Sequence, residues 1–365
     1  MRLKPRAPDF AIFLAVILLL TFGMVMVLSA SSVRAAYAND NPFYFFQRQI
    51  LWAIAGVVVM LVVARIDYRK LGRYNKQFLY FSLALSAALF IPGLGKNVLG
   101  ATRWLNLGPA SFQPSELAKL AVVIYLAYNI SRDPHKLEDL KKGLGPYLLL
   151  IGVLVALLLK QRDLGTAIAI CATIYLMLYV GGAKKQHMIG LGVIGIVGIL
   201  AAAILEPYRM RRITGFIDPW ADPLDTGFHT LQSLFALGSG GIFGAGIGQS
   251  KQKYFYLPEQ HTDFIFAILG EELGWIGAVC VILLFFLLIW RGIRVAVSCP
   301  DAFGSLLALG LTVQVGMQAI INMGVVSGIL PVTGITLPFI SYGGSSLVFT
   351  LSGIGLLLSV SRFSR

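Results

Sequence analysis

Tyr254-Phe-Tyr-Leu-Pro-Glu-Gln-His-Thr-Asp-Phe-Ile-Phe-Ala-Ile-Leu-Gly-Glu-Glu-Leu-Gly274 opens as a polar, proline-containing loop and runs into a long apolar stretch. Asp263 stands at the junction, with Glu259 and His261 just before it. Glu271 and Glu272 follow two to three turns further in if the stretch is a helix. An acidic or basic side chain at mid-membrane costs roughly 2.5–3.5 kcal/mol on an insertion scale, so such a cluster at the mouth of a membrane helix marks a functional site. The rest of the chain then reads as the scaffold that holds this loop at a membrane surface.

Composition supports the membrane. Only 13% of the 365 residues are charged and 57% are hydrophobic, where a soluble domain carries about 25% charged residues; the mean hydropathy is +0.78. Apolar runs recur along the whole length, each near the roughly 17–25 residues that span a bilayer as a helix. They predict an all-α polytopic membrane protein, one integral-membrane domain over residues 1–365. Ten spans are expected at 10–30, 49–64, 77–93, 115–131, 146–160, 164–183, 188–205, 264–290, 303–325 and 342–361. The first run follows Arg2, Lys4 and Arg6, and Ala36-Tyr37-Ala38 has the look of a cleavage site. Its apolar core exceeds the about 7–15 residues of a signal peptide, so it reads as a retained helix.

The net charge of +13 does not point to nucleic acid, because the basic residues form no stripe or tail. They gather in short clusters between apolar runs, as the positive-inside rule describes. With a cytoplasmic N-terminus, eighteen Lys and Arg fall in inside segments, against six in the short outside ones. Both termini are therefore expected in the cytoplasm, and Asp263 is expected to face outward. Residues 206–262, between the seventh and eighth spans, form the one long extracytoplasmic loop. It is rich in aromatic residues and is expected to be ordered, with interfacial or re-entrant helices. Cys171, Cys280 and Cys299 lie far apart, and neither a disulfide framework nor a metal site follows from them.

Several groups carry chemistry. Asp263 can cap the helix that follows it or act as a general base towards a sugar hydroxyl. For at least one of Glu271 and Glu272 a structural ion pair is expected. Glu116 and Lys119, at i and i+3 behind Pro114, read either as a self-paired helix start or as a lysine open to an anionic headgroup. The Gly238–Gly248 run matches no nucleotide-binding pattern and reads as close backbone packing. Gln314, Gln318 and Asn322 form one polar stripe at i, i+4 and i+8, favouring interhelical hydrogen bonds over a transport path. The uncharged, irregular segment 331–346, which includes Ser341 and Ser345, must bury its backbone in protein or line a wet cavity.

Together these motifs name a family. Gly100-Ala-Thr-Arg-Trp104, Gln113-Pro-Ser-Glu116, Asp163-Leu-Gly-Thr166, Leu257-Pro-Glu-Gln-His-Thr-Asp-Phe-Ile-Phe266, Glu271-Glu-Leu-Gly274 and Gly334-Ile-Thr-Leu-Pro-Phe-Ile-Ser-Tyr-Gly-Gly-Ser-Ser346 resemble the SEDS family (shape, elongation, division, sporulation; FtsW, RodA and SpoVE). The resemblance covers essentially the whole chain. The Gly-Ile-Thr-Leu-Pro form and the Val360-Ser-Arg-Phe-Ser-Arg365 end place it nearer the division and sporulation branch than the elongation branch. The chain departs from the family at Gln161-Arg162-Asp163, where Gln-Pro-Asp-Leu-Gly is common, and at His229, where Gln is common.

The resemblance implies a peptidoglycan glycosyltransferase that polymerises lipid II at the outer face of a bacterial cytoplasmic membrane. It implies a class B penicillin-binding transpeptidase as partner, among division or sporulation proteins. The family's essential acid falls on Asp263. Its motif residues fall on Arg103, Trp104, Glu116 and Lys119, with His261, Ser341 and Ser345 beside them as candidate substrate contacts. Arg103, Lys119, Arg209 and Arg212 are candidates for charge at a pyrophosphate, together with a divalent cation (Mg or Mn). A lipid II flippase and a non-catalytic scaffold for the transpeptidase are the alternatives.

Overall fold

In the computed structural model of the chain, residues 6–98, 100–107 and 110–364 are described. Arg2, Lys4 and Arg365, three of the charges counted as inside, lie outside them. Each expected span is a helix. α1 (Phe10–Asn39) and α2 (Tyr44–Arg65) form a first hairpin, followed by the short α3 (Tyr68–Gly72) and by α4 (Asn75–Ala88). α5 (Pro114–Arg132), α6 (Gly145–Lys160), α7 (Leu164–Val180) and α8 (Lys185–Ile204) run up and down in sequence. The long loop holds α9 (Pro207–Ile217) and α10 (Phe228–Ser239), as expected of an ordered segment. α11 (Ile265–Ser298), α12 (Ala302–Val326) and α13 (Gly344–Ser361) complete the chain.

Seven of the described helices are long and apolar enough to cross a membrane. α4 and α7 are shorter, and α5 carries Glu116, Lys119 and Arg132. Packing depends on small residues, as it must where lipid and side chain are equally apolar. Where α13 lies on α2, a Cβ at Gly355 would stand 2.6 Å from the Met60 carbonyl oxygen. α8 is the exception, with only Met188, Ala202 and Ala203 buried.

The two described ends of the chain meet. The Arg6 N–H donates to the Arg362 carbonyl at 2.8 Å, the Asp9 N–H donates to Ser361 Oγ at 3.0 Å, and Arg291 pairs with Asp9. Both therefore lie at one end of the bundle, and the loops bearing Asp263 lie at the other.

Two features differ from the expectation. Between α4 and α5 the chain forms a three-stranded antiparallel meander, β1 (Gly95–Val98), β2 (Ala101–Leu107) and β3 (Ala110–Phe112), so the molecule is not purely helical. The helix after Asp263 is also not continuous. Gly274 takes φ +66 and ψ −166 and breaks α11 into a short buried segment and the long apolar one. The Gly-rich run docks into that break: Ala245 and Gly246 N–H groups donate to the Glu271 and Glu272 carbonyls at 2.9 and 3.0 Å, and the Trp275 N–H donates to Gly241 O at 2.9 Å. A Cβ at Gly244 would lie 2.2 Å from Glu272 O, so glycine permits the approach. Close backbone packing is the use these glycines have.

Candidate active site

Asp263 sits where a strained turn meets a helix start. Glu259 takes φ +51, and the Thr262 and Phe264 N–H groups donate back to its carbonyl at 3.1 and 3.2 Å. Phe264, not Asp263, is the cap residue of α11, and no side chain caps that helix. The sequence left a capping role open for Asp263; the structure removes it. Its carboxylate is half-buried and accepts no hydrogen bond from a described residue.

The segment expected to form one wall does so by stitching itself to this turn. Ser341 Oγ donates to Thr262 O at 2.6 Å and accepts the Leu337 N–H at 2.8 Å. The Tyr342 N–H donates to His261 O at 2.9 Å. Asn322, on α12, ties the two together: its amide nitrogen donates to Asp263 O at 2.8 Å and to Ile335 O at 2.7 Å. Gly334 takes φ +76, and a Cβ there would lie 3.6 Å from Asp263 Oδ2 and 3.7 Å from Arg103 Nη1. Acid and guanidinium thus converge on one glycine.

Basic residues close the other side. Arg103, on β2, donates to Arg162 O, and Arg212, on α9, donates to Val332 O at 3.3 Å. The guanidinium carbons of Arg162, Arg209 and Arg212 stand 5.5, 5.3 and 5.8 Å from the Tyr208 ring centroid. Arg162 takes φ +58, a value closed to proline, so the departure from Gln-Pro-Asp is a change of backbone. Burial pushes the Asp263 carboxyl up to about 6, helped by the Glu259 charge and a smaller push from Asp163, against Arg103 and Arg212, which pull it down. Burial, and then the Arg103 charge, lower Arg212.

The other expected residues divide between the cleft and the scaffold. His261 is buried against the Phe45 and Tyr342 rings, 4.8 and 5.7 Å between centroids. Burial, with Arg34 opposing the pull of Glu259 less strongly, pushes His261 down to about 4, so it is neutral at pH 7. Trp104 is half-buried on β2 opposite Lys96. Lys119 is buried, 2.9 Å from Glu116 and 3.0 Å from Gln318 Oε1, which is the self-paired arrangement. Arg209 is buried and engaged by Tyr208 Oη at 2.9 Å, Ala202 O at 2.8 Å and Leu159 O at 3.4 Å. Ser345 Oγ accepts the Gln113 N–H at 3.3 Å. Lys119, Arg209, Ser341 and Ser345 therefore hold the fold together, and Arg103 and Arg212 are the cations that face Asp263.

Glu271 and Glu272 are structural. Glu272 pairs with buried Lys253 at 3.2 Å and accepts from Ser29 Oγ at 2.6 Å, while Glu271 accepts the Lys251 N–H at 2.8 Å. The expected ion pair is present, with its cation from the preceding loop. Gln318 also donates to Thr336 O at 3.2 Å, so Gln318 and Asn322 make interelement hydrogen bonds, while Gln314 Oε1 is buried without a partner among the described residues. Sequence reasoning did not single out Gly334 or the Arg34–Glu259 pair (3.7 Å). The glycine ahead of Ile-Thr-Leu-Pro was the one available signal. No three His, Cys, Asp or Glu side chains gather as metal ligands among the described residues.

A multi-pass helical membrane protein with an uncapped, half-buried acid facing two guanidinium groups is the class these observations define. Comparison with known proteins makes it specific: residues 10–365 match the FtsW/RodA/SpoVE family, described as cell cycle proteins, and the chain belongs to that family. A probable peptidoglycan glycosyltransferase FtsW of Geobacter sp. (strain M18) is 46% identical over 357 residues, 98% of this chain and 97% of that protein. Stage V sporulation protein E of Bacillus subtilis (strain 168) is 45% identical over 365 residues, the full length of both. Among solved structures, a chain from a peptidoglycan synthase complex coordinating polymerization and crosslinking aligns with TM-score 0.79 at 32% identity over 98% of each chain. The rod shape determining protein RodA of Thermus thermophilus aligns with TM-score 0.72 at 30% identity, over 98% of this chain and 97% of that one.

Proposed function

We propose that this protein is a peptidoglycan glycosyltransferase that polymerises lipid II at the outer face of a bacterial cytoplasmic membrane, with Asp263 as general base. Asp263 Oδ takes the proton from the acceptor's GlcNAc 4-hydroxyl, and that oxygen attacks the donor MurNAc anomeric carbon with inversion. The bond to undecaprenyl pyrophosphate breaks, and its electrons leave with the pyrophosphate. A carboxyl held near 6 is ionised at neutral pH yet more basic than an ordinary aspartate, which suits a base. Positioned base catalysis contributes about 10²–10⁴-fold. Orientation and charge must supply the remainder. The Arg103 and Arg212 charges, both felt at Asp263, support a role for these two residues at the pyrophosphate, while Lys119 and Arg209 are buried in other pairings.

The observation that carries this function is the uncapped Asp263 carboxylate beside Gly334 and Arg103. A divalent cation would have to arrive with the substrate's phosphates, as Mg²⁺ commonly does, because the described residues build no metal cage. A class B penicillin-binding transpeptidase is the proposed partner, within a division or sporulation assembly. The related chain from a synthase complex supports that assignment. The flippase alternative needs a free polar path, and the amide nitrogens of Gln318 and Asn322 are bonded to neighbouring elements. Reconstitution of the protein and transpeptidase in vesicles with fluorescent lipid II separates the two. Glycan ladders without accelerated leaflet exchange are expected; exchange without ladders would establish the transporter instead.

A further inference from the structure

At about 1.5 Å per residue, the 30 residues of α1 extend on the order of 45 Å, well beyond a hydrocarbon core of about 30 Å. Its last turn is exposed at the end of the bundle that carries Asp263, although Ser31 and Ala35 just before it are buried. Arg34 and Tyr37, one turn apart, share a face there. Arg34 lies 3.7 Å from Glu259, and the Tyr37 ring meets the Phe255 ring edge-on at 5.7 Å and 74°. Both rings are open to solvent, Tyr37 at 84% and Phe255 at 58% relative exposure.

Phe255 is held at φ +67, a strained conformation for a bulky residue that persists only when its surroundings impose it. The surroundings do so. The Leu257 N–H donates to Gln252 O at 3.0 Å, Leu257 is buried, and Gln260 Nε2 reaches Ala30 O at 2.8 Å and Lys253 O at 3.0 Å. The strained backbone thus presents an aromatic ring outward on a hydrogen-bonded loop. Glu259 bridges this platform to the acid, since its charge is felt at Asp263 while its carboxylate faces Arg34.

We propose that Tyr37 and Phe255 form a stacking platform for the amino-sugar rings of the glycan chain, with Arg34 and Glu259 hydrogen-bonding its hydroxyls. The proposal rests on the glycosyltransferase reading above. A pyranose ring offers an apolar C–H face and a polar edge, which match two exposed rings beside an exposed ion pair. A polymerase must also hold its chain from one addition to the next. A protein-docking site would bury about 800 Å² per partner around a desolvated anchor, whereas the rings here are open to solvent and the charged pair ends at Glu259, four residues before Asp263.

Glycan lengths made by the intact complex, with the transpeptidase fused to hold its occupancy constant, test this. Tyr37→Ala and Phe255→Gly should each shorten the strands several-fold and leave the rate of the first coupling unchanged. Tyr37→Phe should keep normal length. Phe255→Gly also relieves the backbone strain, so its melting temperature should not fall and shortening cannot be blamed on unfolding. Unchanged lengths in both ring-removal variants would overturn the platform. Unchanged lengths in the fusion with lost co-purification in the unfused pair would assign the face to a partner protein instead. If Asp263→Asn still makes polymer, the catalytic reading fails; if wild type polymerises and only the length effect is missing, the platform alone fails.

Discussion

Asp263 holds its proton up to about pH 6 because burial and Glu259 oppose ionisation more strongly than Arg103 and Arg212 favour it. A base must be deprotonated, so the rate should rise through pH 6 to a plateau and fall about tenfold per unit below it. Glu259→Gln removes a like charge and should move that limb to lower pH. Arg212→Gln removes an attraction and should move it higher. Profiles of rate against pH for the two variants check this, and shifts in the same direction would contradict it. Stability responds to pH in the opposite sense. The folded chain binds this proton more tightly than the unfolded one, so the charge weakens the fold increasingly as pH rises from about 4 towards 6. Asp263→Asn should therefore melt no lower than wild type at pH 7, the difference vanishing below about pH 4. Asp263, Arg103 and Arg212 were visible in the sequence as chemistry-bearing residues. Their meeting at Gly334 was not, because it depends on a φ and a close approach that no spacing encodes.

The helices were legible because hydropathy reports every apolar run that must be satisfied within a bilayer. The β meander was missed for the same reason: strands of three to seven residues leave no mark on a window that seeks spans. The break at Gly274 was hidden too. One glycine costs a helix only about 1 kcal/mol, and it is the docked 241–246 backbone that imposes φ +66. Gly274→Ala puts a Cβ 2.3 Å from Gly244 N and 2.6 Å from Ile242 O, so it should destabilise by well over 1 kcal/mol and lower the melting temperature in detergent. The loop before Asp263 also depends on the Lys253–Glu272 pair. Lys253→Met strands a buried carboxylate and should cost about 3–5 kcal/mol, whereas Lys253→Met combined with Glu272→Gln should recover most of the loss. Thermal melting of the single and double variants measures both effects.

At the scale of the molecule, the chain builds a bundle whose two described ends meet on one side and whose polar loops gather on the other. The charge count predicts that the first side is cytoplasmic. Reporters fused at either terminus should be active only in the cytoplasm, and a label at Tyr37→Cys should react from outside in a variant lacking the native cysteines; labelling only from inside would invert the topology. Composition and periodicity reached the membrane and the helix that stands at each of the ten expected spans, seven of the described helices being long and apolar enough to cross. The sugar chemistry came from motif resemblance, because no count of charges distinguishes a hydroxyl-deprotonating carboxylate from a helix cap. What gathers at the end opposite the termini is one non-capping acid, two cations and a neutral histidine, held by Asn322 and Ser341. The most direct test is lipid II polymerisation by the purified complex carrying Asp263→Asn. Loss of glycan strands, with folding and transpeptidase binding intact, is the predicted result; strands made at the wild-type rate would contradict the assignment of Asp263 as the base.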